Sequence, residues 1–306
     1  MLADTDVPAL SLSQCFVVTS IDRRFVEFAG VMLHTLALNG DIGDANVVVF
    51  CDGLTSKDKS HLKMCGGGLR LTLFDLSEKA LRQFDGLKTN SNWSRSIYTR
   101  LILPDLLGCK EGRVIYLDAD TIVVDSLRPL LNLDMAGMPV AAVGGISEQG
   151  IARLRLPDGT KTMNSGVLAI DIREWLSRDL SKSCIEIVRT RGESLRFFDQ
   201  DALNIALVGQ FVSIDRRWNV VLHSHADDPA VFHFTHAKPN SVLCQHPAQP
   251  LYLQYRQATP WAKKRLKSHW DKRFNRWAHS FRRLFGRVSA ARLLKETSMK
   301  RPIDQR

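Results

Sequence analysis

Residues 114–127, VIYLDADTIVVDSL, contain the feature that decides the fold of this chain. The apolar run at residues 114–117 is typical of a buried strand, and it leads directly into Asp118 and Asp120, with only Ala119 between them. Side chains two residues apart on an extended segment point the same way, so we expect the two carboxylates to converge while Ala119 faces away. Burying two like charges without a partner would force one carboxyl to keep its proton, whereas a bound divalent cation removes the repulsion.

The acid pair therefore predicts a site for Mn²⁺ or Mg²⁺, because both ions prefer oxygen ligands and also bind phosphate oxygens. A simpler interpretation is that Asp118 and Asp120 are turn residues at the end of a strand, where they cap a following helix without binding a metal. The apolar approach at residues 114–117 favours the metal, since turn acids exposed to water seldom follow such a buried run.

The composition of the whole chain is that of an ordinary globular protein. It has 306 residues, of which 44% are hydrophobic and 24% are charged. No apolar run reaches the roughly 18 residues that a membrane-spanning helix needs, and the N-terminus lacks the basic stretch of a secretory signal. The six cysteines are scattered without a CxxC pair. We therefore expect a reduced, cytoplasmic protein without structural zinc.

The net charge of +10 is distributed unevenly along the chain. Residues 256–306 hold 16 of the 42 Lys and Arg residues but only 3 of the 32 Asp and Glu residues, which gives this part a charge of +13. The rest, residues 1–255, has a charge of −3. We predict a main domain over residues 1–255 and a basic C-terminal helical region over residues 256–306.

Short apolar strands alternate with helical segments in the first part of the main domain. The patterns predict strands over 14–20, 45–53, 69–76 and 112–120, and helices over 26–38 and 94–108, the second interrupted around Pro104. This alternation indicates an α/β fold with a largely parallel sheet. Ligands of such sheets bind beyond the carboxyl ends of the strands, which is where the acid pair lies. Neither a GxGxxG fingerprint nor a P-loop occurs.

Further motifs follow in an order that resembles a known family. These are VTSIDRRF at 18–25, RLILPDLLG at 100–108, GRVIYLDAD at 112–120, MNSGVLAIDIREW at 163–175, FFDQDALNIAL at 197–207, RRWN at 216–219 and VFHFTHAKPN at 231–240. Together they resemble the family 8 glycosyltransferases, which include bacterial lipopolysaccharide galactosyl- and glucosyltransferases and the glycogenins. The resemblance spans about residues 14–240.

The resemblance implies a GT-A fold, a single Rossmann-like mixed sheet flanked by helices. It also implies a retaining, Mn²⁺-dependent enzyme that moves a hexose from UDP-galactose or UDP-glucose to a glycan or glycolipid acceptor such as lipopolysaccharide. Two alternatives stay open. One is a glycogenin-like protein that glucosylates itself on a tyrosine, and the other is a non-catalytic protein that binds sugar nucleotides at a membrane.

The same resemblance assigns roles to residues at matching positions. It implies metal ligands at Asp118, Asp120 and His233. It implies contacts with the donor at Ser20, Asp22, Phe25, Arg100, Ala119, Ser165, His236 and Lys238. It implies catalytic positions at Asn164, Asp199 and Gln200, with Gln200 approaching the anomeric carbon from the face opposite the leaving UDP.

Several of these residues also have simpler explanations in the sequence. His233 lies between two phenylalanines and would fit a hydrophobic core, and His236 competes with it as the metal ligand. Asp22 would also fit the N-cap of the helix that follows, Arg100 a helix surface and Lys238 a solvated loop. The chain departs from the family pattern as well. Phe25 replaces a tyrosine, the interval from His233 to Lys238 is one residue shorter, and Asn240 replaces a tryptophan.

The C-terminal region has the pattern of a basic amphipathic helix. Thr259 and Pro260 are typical of a helix start, and the apolar residues then recur every three or four positions between Lys and Arg: Leu266, Trp270, Phe274, Trp277 and Phe281. Such a helix favours an anionic membrane surface, which would make the protein peripheral on the inner face of the cytoplasmic membrane. Packing against the main domain and nucleic-acid binding are the alternatives, and we expect no nucleic-acid partner.

Overall fold

The computed structural model describes residues 14–88 and 95–268. These residues form nine strands: β1 Cys15–Asp22, β2 Asn46–Asp52, β3 Arg70–Asp75, β4 Arg113–Leu117, β5 Thr121–Val123, β6 Val140–Ile146, β7 Lys161–Asp171, β8 Phe211–Ile214 and β9 Val231–His233. They also form ten α-helices: α1 Val26–Asn39, α2 Ser56–Cys65, α3 Glu78–Arg82, α4 Leu103–Leu107, α5 Arg128–Leu131, α6 Glu148–Leu154, α7 Ile172–Ser177, α8 Leu180–Arg191, α9 Phe198–Ala206 and α10 Gln249–Arg256. The predicted α/β class is confirmed.

Seven of these strands make one mixed sheet in the order β3-β2-β1-β4-β7-β6-β8. The first four strands of the sequence, β1 to β4, pair in parallel, as the alternation of strands and helices predicted. The long strand β7 then lies antiparallel between β4 and β6. Because β6 is antiparallel to β7, it runs parallel to β4, and β8 runs parallel to β6. The expectation of a largely parallel sheet is therefore confirmed, and the one reversed strand, β7, makes it the mixed sheet that the resemblance implied.

Alternate side chains of the central strands enter two separate hydrophobic cores, one on each face of the sheet. On β4, Ile115 and Leu117 join the core beneath α1, while Val114 and Tyr116 join the core that contains α4, α8 and α9. All four side chains are at most 2% exposed. Successive strand residues point to opposite faces, so a strand covered on both faces must be apolar throughout, which explains the VIYL run.

Two predicted elements have different local structures. Residues 94–108 were predicted as one interrupted helix, but Arg95–Ile102 is a 3-10 helix, and α4 begins at Leu103 with Pro104 in its first turn. Proline lacks an amide hydrogen and suits the start of a helix rather than its middle. The strand predicted over 112–120 ends at Leu117, before the acid pair.

The chain beyond α10 packs against the main body as far as the structure describes it. Arg256 forms a buried ion pair with Glu27 of α1 at 2.9 Å, and Lys264 reaches the same carboxylate at 3.0 Å. The Trp261 ring lies against Gly30, where an added Cβ would come within 2.2 Å of the ring. The predicted helix start at Pro260 is wrong, because residues 257–264 form turns and bends.

The amphipathic pattern after Ser268 lies outside the described residues, and the division at residue 255 stays a prediction. Within residues 14–88 and 95–268, no helix combines the length and apolar character that crossing a bilayer requires.

Candidate metal and donor site

A cavity of about 550 Å³ opens beyond the carboxyl ends of β1 and β4. The sequence singled out fourteen site residues, and thirteen of them line this cavity: Ser20, Asp22, Phe25, Asp118, Ala119, Asp120, Asn164, Ser165, Asp199, Gln200, His233, His236 and Lys238. The exception is Arg100, which lies behind the cavity wall. The structure thus brings together side chains from segments that are more than 200 residues apart in the sequence.

The acid pair lies on a turn between β4 and β5, so the expectation of an extended segment is wrong. The backbone N–H of Thr121 donates to the carbonyl oxygen of Asp118 at 3.2 Å, and its hydroxyl donates to the same oxygen at 2.8 Å. The carboxylates nevertheless converge, because the turn directs both of them toward one imidazole. Their convergence depends on this local hydrogen bonding rather than on the alternation of a strand.

His233 reaches the acid pair because β9 pairs with β5. Thr121 lies opposite His233 in this antiparallel ladder, and the Phe234 N–H donates to the carbonyl oxygen of Asp120 at 3.0 Å. The His233 Nε2 atom lies 3.5 Å from an oxygen of Asp118 and 3.5 Å from an oxygen of Asp120. Among the described residues, these three form a group that could hold a metal ion. His233 is buried, but it faces carboxylates rather than only apolar core.

The chemistry and packing of this cluster suit a hard divalent cation. Two carboxylates and one imidazole are a ligand set that Mg²⁺ or Mn²⁺ accepts, with positions left for phosphate oxygens. Gly166 makes room for the imidazole, since a Cβ at that position would lie 2.1 Å from Cε1 of His233 and 2.4 Å from Nδ1. A glycine is therefore required where β7 passes the cluster.

Asn219 orients the imidazole, and the sequence analysis had not assigned it a role. Its side-chain oxygen lies 2.9 Å from Nδ1 of His233. An amide oxygen can only accept, so Nδ1 carries a proton, and Nε2 is the ring nitrogen that faces the two carboxylates and could bind a cation. The only sequence signal for this residue was its position in the RRWN motif.

A chain of hydrogen bonds continues from Asn219 to Gln200. The Asn219 side-chain N–H donates to Oδ1 of Asn164 at 2.7 Å, and the Asn164 side-chain N–H donates to Oε1 of Gln200 at 3.2 Å. The Ser165 backbone N–H also donates to that oxygen at 3.2 Å. Asn164 and Gln200 are thereby fixed relative to the metal cluster.

Arg100 connects the cluster to Asp199 from behind the cavity wall. Its guanidinium pairs with Asp118 at 2.7 Å and with Asp199 at 2.9 Å, and it donates to the carbonyl oxygen of Ser165 at 3.0 Å. Its side chain is only 10% exposed, so the helix-surface alternative is wrong. Burial raises the pKa of Asp199 to about 6, and the charge of Arg100 opposes this rise.

Lys238 pairs directly with Asp120 and also donates to the carbonyl oxygen of Phe234 at 2.9 Å. It is therefore not a free solvated lysine. Burial alone would raise the pKa of Asp120, but the positive charge of Lys238 and the adjacent His233 together hold that pKa below its ordinary value. Asp120 is thus ionised and could bind a cation.

The far end of the cavity is formed by the loop after β1. Asp22 accepts a hydrogen bond from the Arg24 backbone N–H at 2.7 Å and pairs with the Arg24 guanidinium at 2.6 Å. The N-cap of α1 is Phe25, which has no side-chain cap bond, so the helix-cap explanation of Asp22 is wrong. His236 is exposed at the rim and bonds to Thr235 rather than to the carboxylates.

Comparison with known proteins shows which family this chain belongs to. The model of Glycosyl transferase family 8 matches residues 16–243. The chain belongs to glycosyl transferase family 8. A similar solved structure is that of the galactosyltransferase LgtC with donor and acceptor sugar analogues. Its TM-score is 0.70 and its identity is 22%, over 81% of this chain and 99% of that one. This likeness confirms the GT-A fold.

Similar sequences include two enzymes of lipopolysaccharide assembly. Lipopolysaccharide 1,2-glucosyltransferase of Escherichia coli is 26% identical over 266 residues, which cover 83% of this chain and 75% of the relative. Lipopolysaccharide 1,3-galactosyltransferase of Salmonella typhimurium is 25% identical over 270 residues, which cover 80% of this chain and 79% of the relative.

Proposed function

We propose that the protein is a retaining, divalent-metal-dependent hexosyltransferase that moves galactose or glucose from a UDP-sugar to a glycan acceptor, lipopolysaccharide or another cell-surface glycan. The observation that carries this proposal is the convergence of Asp118, Asp120 and His233 in a cavity that Asp199 and Gln200 also line. A sugar diphosphate needs a cation at one end and hydrogen-bonding groups for sugar hydroxyls at the other.

Asp118, Asp120 and His233 would hold Mn²⁺, or Mg²⁺ in its place. When bound there, the cation would neutralise the charge that grows on the diphosphate as the sugar–phosphate bond breaks. Lys238 adds a second positive charge beside Asp120 and would move to the departing phosphate. Ser20, Asp22 and Phe25 would receive the uracil. Ala119 and Ser165 would line the space between the uracil and the sugar.

The environment of Gln200 bears on how the anomeric configuration is retained. Its side-chain oxygen already accepts hydrogen bonds from Asn164 and Ser165, which makes it a weaker nucleophile. We therefore favour an oxocarbenium-like route in which the acceptor attacks from the face that UDP leaves. In this route Gln200 stabilises positive charge on the ring, and Asn164 and the ionised Asp199 hold sugar hydroxyls.

Self-glucosylation is less well supported. Among the described residues that line the cavity there is no tyrosine. Tyr116, two residues before Asp118, is 2% exposed, and its hydroxyl donates to Asp118 at 2.8 Å, so it supports the acid pair. A non-catalytic protein that binds sugar nucleotides would use the same carboxylate and amide groups, and the assay of UDP release separates it from an enzyme.

The proposal is tested by UDP release from UDP-galactose and UDP-glucose, measured with Mn²⁺, with Mg²⁺ and with a chelator. We expect slow, metal-dependent release without acceptor, and loss of this release in Asp120→Asn. The exposed pair of Arg173 and Glu111 provides a matched control, because Glu111→Gln removes a carboxylate far from the cavity. Absence of metal-dependent release from both donors would reject the enzyme and leave a binding protein.

We also propose that the protein works at the cytoplasmic face of the membrane. The support is the basic, aromatic pattern of residues 256–306 together with a lipid-linked acceptor. Arg256, Trp261 and Lys264 attach the start of this region to α1 and α2. This attachment would hold the cavity close to the surface that the rest of the region binds.

A further inference from the structure

Arg196 and Phe197 form part of the cavity rim, and the proposed binding of the donor gives neither residue a role. Both side chains are exposed and both line the cavity. They directly precede Phe198, Asp199 and Gln200 at the start of α9, so they lie at the sugar end rather than the uracil end.

Arg196 carries a charge that no acidic side chain neutralises within the part of the chain that the structure describes. Most of the other charged side chains in the cavity wall have an opposite partner: Asp22 with Arg24, Asp199 with Arg100, and Asp120 with Lys238. Within residues 14–88 and 95–268, the Arg196 guanidinium contacts no carboxylate and instead stacks on the Phe197 ring at 5.2 Å. A guanidinium held at a cavity rim without an acid is ready to bind an anion.

Two hydrogen bonds to a buried carboxylate hold the backbone that presents these two side chains. The buried carboxylate of Asp201 accepts hydrogen bonds from the N–H groups of Arg196 at 2.8 Å and Phe197 at 2.9 Å. The same carboxylate pairs with both terminal nitrogens of Arg153, whose guanidinium lies 5.4 Å from the Phe197 ring. The Phe197 ring therefore lies near two guanidinium groups, and 38% of the residue is exposed to solvent.

The charges of the donor are already matched elsewhere in the cavity. Asp118, Asp120 and His233 with their cation, together with Lys238, lie on the diphosphate side. The unpaired positive charge of Arg196 lies beyond them, next to the residues that face the hexose. An exposed aromatic ring beside a guanidinium can cover the apolar face of a sugar and bind an oxyanion attached to it.

We propose that Arg196 and Phe197 form an acceptor subsite that selects a saccharide carrying an oxyanion, either a phosphate ester or a carboxylate, close to the hydroxyl that attacks the donor. This inference rests on the proposed function, since it concerns the acceptor of the same site. Phe197 packs against the sugar ring and the Arg196 guanidinium pairs with the oxyanion. A neutral saccharide gains only the first of these contacts.

The test measures binding to protein saturated with UDP and Mn²⁺, so that the diphosphate position is filled. Three probes share one sugar: methyl β-glucoside, its 6-phosphate and methyl β-glucuronide. We expect one of the charged probes to bind about tenfold more tightly than the neutral one, as a charge-assisted hydrogen bond allows. The charged probe that binds more tightly identifies the oxyanion as phosphate or carboxylate.

Two variants separate this role from a general effect of charge. The Arg196→Gln variant is expected to bind the charged and neutral probes with Kd values within about threefold of each other. Because the Arg196 side chain is exposed, the Tm of this variant should equal that of the wild type, which serves as a control for folding. Arg70→Gln removes an exposed arginine at the amino end of the edge strand β3, whereas the cavity lies beyond the carboxyl ends of β1 and β4. This variant is expected to keep the full preference for the charged probe.

Three results would overturn the inference. The first is that the wild type does not bind the charged probes or does not prefer them, and the second is that Arg196→Gln keeps the full preference. The third is that Arg196→Gln keeps the preference but binds UDP less tightly than the wild type does. The last result would assign Arg196 to the donor phosphates. Metal-dependent release of UDP from UDP-sugars is measured separately. If that release occurs without any probe preference, the acceptor inference fails and the proposed function stands. If the preference occurs without release, the protein binds anionic saccharides and is not a transferase.

Discussion

His233 Nδ1 donates a hydrogen bond to the side-chain oxygen of Asn219 over 2.9 Å, and this contact determines which imidazole nitrogen faces Asp118 and Asp120. Asn219 also donates to Asn164, which in turn donates to Gln200. The three candidate metal ligands and Gln200 are therefore connected by a single row of amide side chains, and a change at its centre should affect both ends.

Asn219→Ala is expected to weaken Mn²⁺ binding by about 10- to 100-fold, because the ring loses the contact that sets its tautomer and orientation. Asn219→Asp keeps an oxygen that accepts from Nδ1 and should retain more of the affinity. Isothermal titration with Mn²⁺ measures both variants. Equal Mn²⁺ affinity in Asn219→Ala and the wild type would show that His233 is oriented without Asn219.

Gly166→Ala is expected to abolish measurable Mn²⁺ binding at concentrations that saturate the wild type. The new Cβ would overlap the His233 ring, since it would lie 2.1 Å from Cε1, so the imidazole must move away from the acid pair. Gly145→Ala on β6 is a matched control, because its Cβ would have no neighbour within 4 Å. The same titration decides between them, and normal affinity in Gly166→Ala would contradict the placement of His233.

Lys238→Met is expected to separate metal affinity from turnover. Without nucleotide, the Lys238 ammonium and the cation compete for Asp120, so removing the charge should tighten Mn²⁺ binding by on the order of tenfold. Donor hydrolysis should fall by about 10²- to 10³-fold, because the growing charge on the phosphate loses a partner. If Mn²⁺ binds more weakly to this variant, Lys238 is not a competitor of the metal.

The pKa of Asp199, raised to about 6 by burial, predicts how the preference for a sugar nucleotide depends on pH. Above pH 6 the carboxylate is ionised and accepts hydrogen bonds from sugar hydroxyls; below pH 6 it becomes protonated and loses part of that capacity. The ratio of the UDP Kd to the UDP-sugar Kd should therefore fall by several-fold between pH 7 and pH 5.

The ratio of the two Kd values is used because protonation of a metal ligand would weaken the binding of UDP and of the UDP-sugar alike. That effect therefore cancels in the ratio. Asp199→Asn cannot titrate, and its ratio should be low and constant over the same range. A ratio that falls equally in the variant would assign the pH dependence to another group.

A chain that ends at residue 268 should fold, whereas one that ends at residue 255 should be strongly destabilised. The shorter chain lacks Arg256, Trp261 and Lys264 and leaves the Glu27 carboxylate buried without a partner, which costs about 3–5 kcal/mol. Thermal unfolding compares the two chains.

Co-sedimentation with anionic vesicles tests the membrane proposal on the same material. The full chain should bind vesicles and the chain ending at residue 268 should not. Vesicle binding that persists after the truncation would assign the membrane contact to the main body.

In the unfolding experiment, equal Tm values for the two truncated chains would show that residues 256–268 do not stabilise the fold.

Much of the architecture was predictable because local physics determines it. The VIYL run must be a strand covered on both faces, since water contact on either face would leave apolar side chains exposed. The expectation of one helix over 94–108 failed because the packing of Arg95–Ile102 on the sheet overrides a helical periodicity. The extended geometry expected at the acid pair failed for a related reason: the Thr121 hydroxyl and N–H both bond to Asp118 and close a turn.

By itself, the sequence determined the class of fold and singled out Asp118 and Asp120 as candidate metal ligands, because hydrophobic periodicity and the burial of two nearby acids are local properties of a chain. His233 was implied only by the family resemblance. The tertiary structure alone decided that Asn219 directs the His233 ring, that Arg100 supports two carboxylates from behind the wall, and that Arg196 has no acidic partner among residues 14–88 and 95–268. Each of these depends on contacts between segments tens of residues apart, whose distances are set only when the strands pair and the cores close.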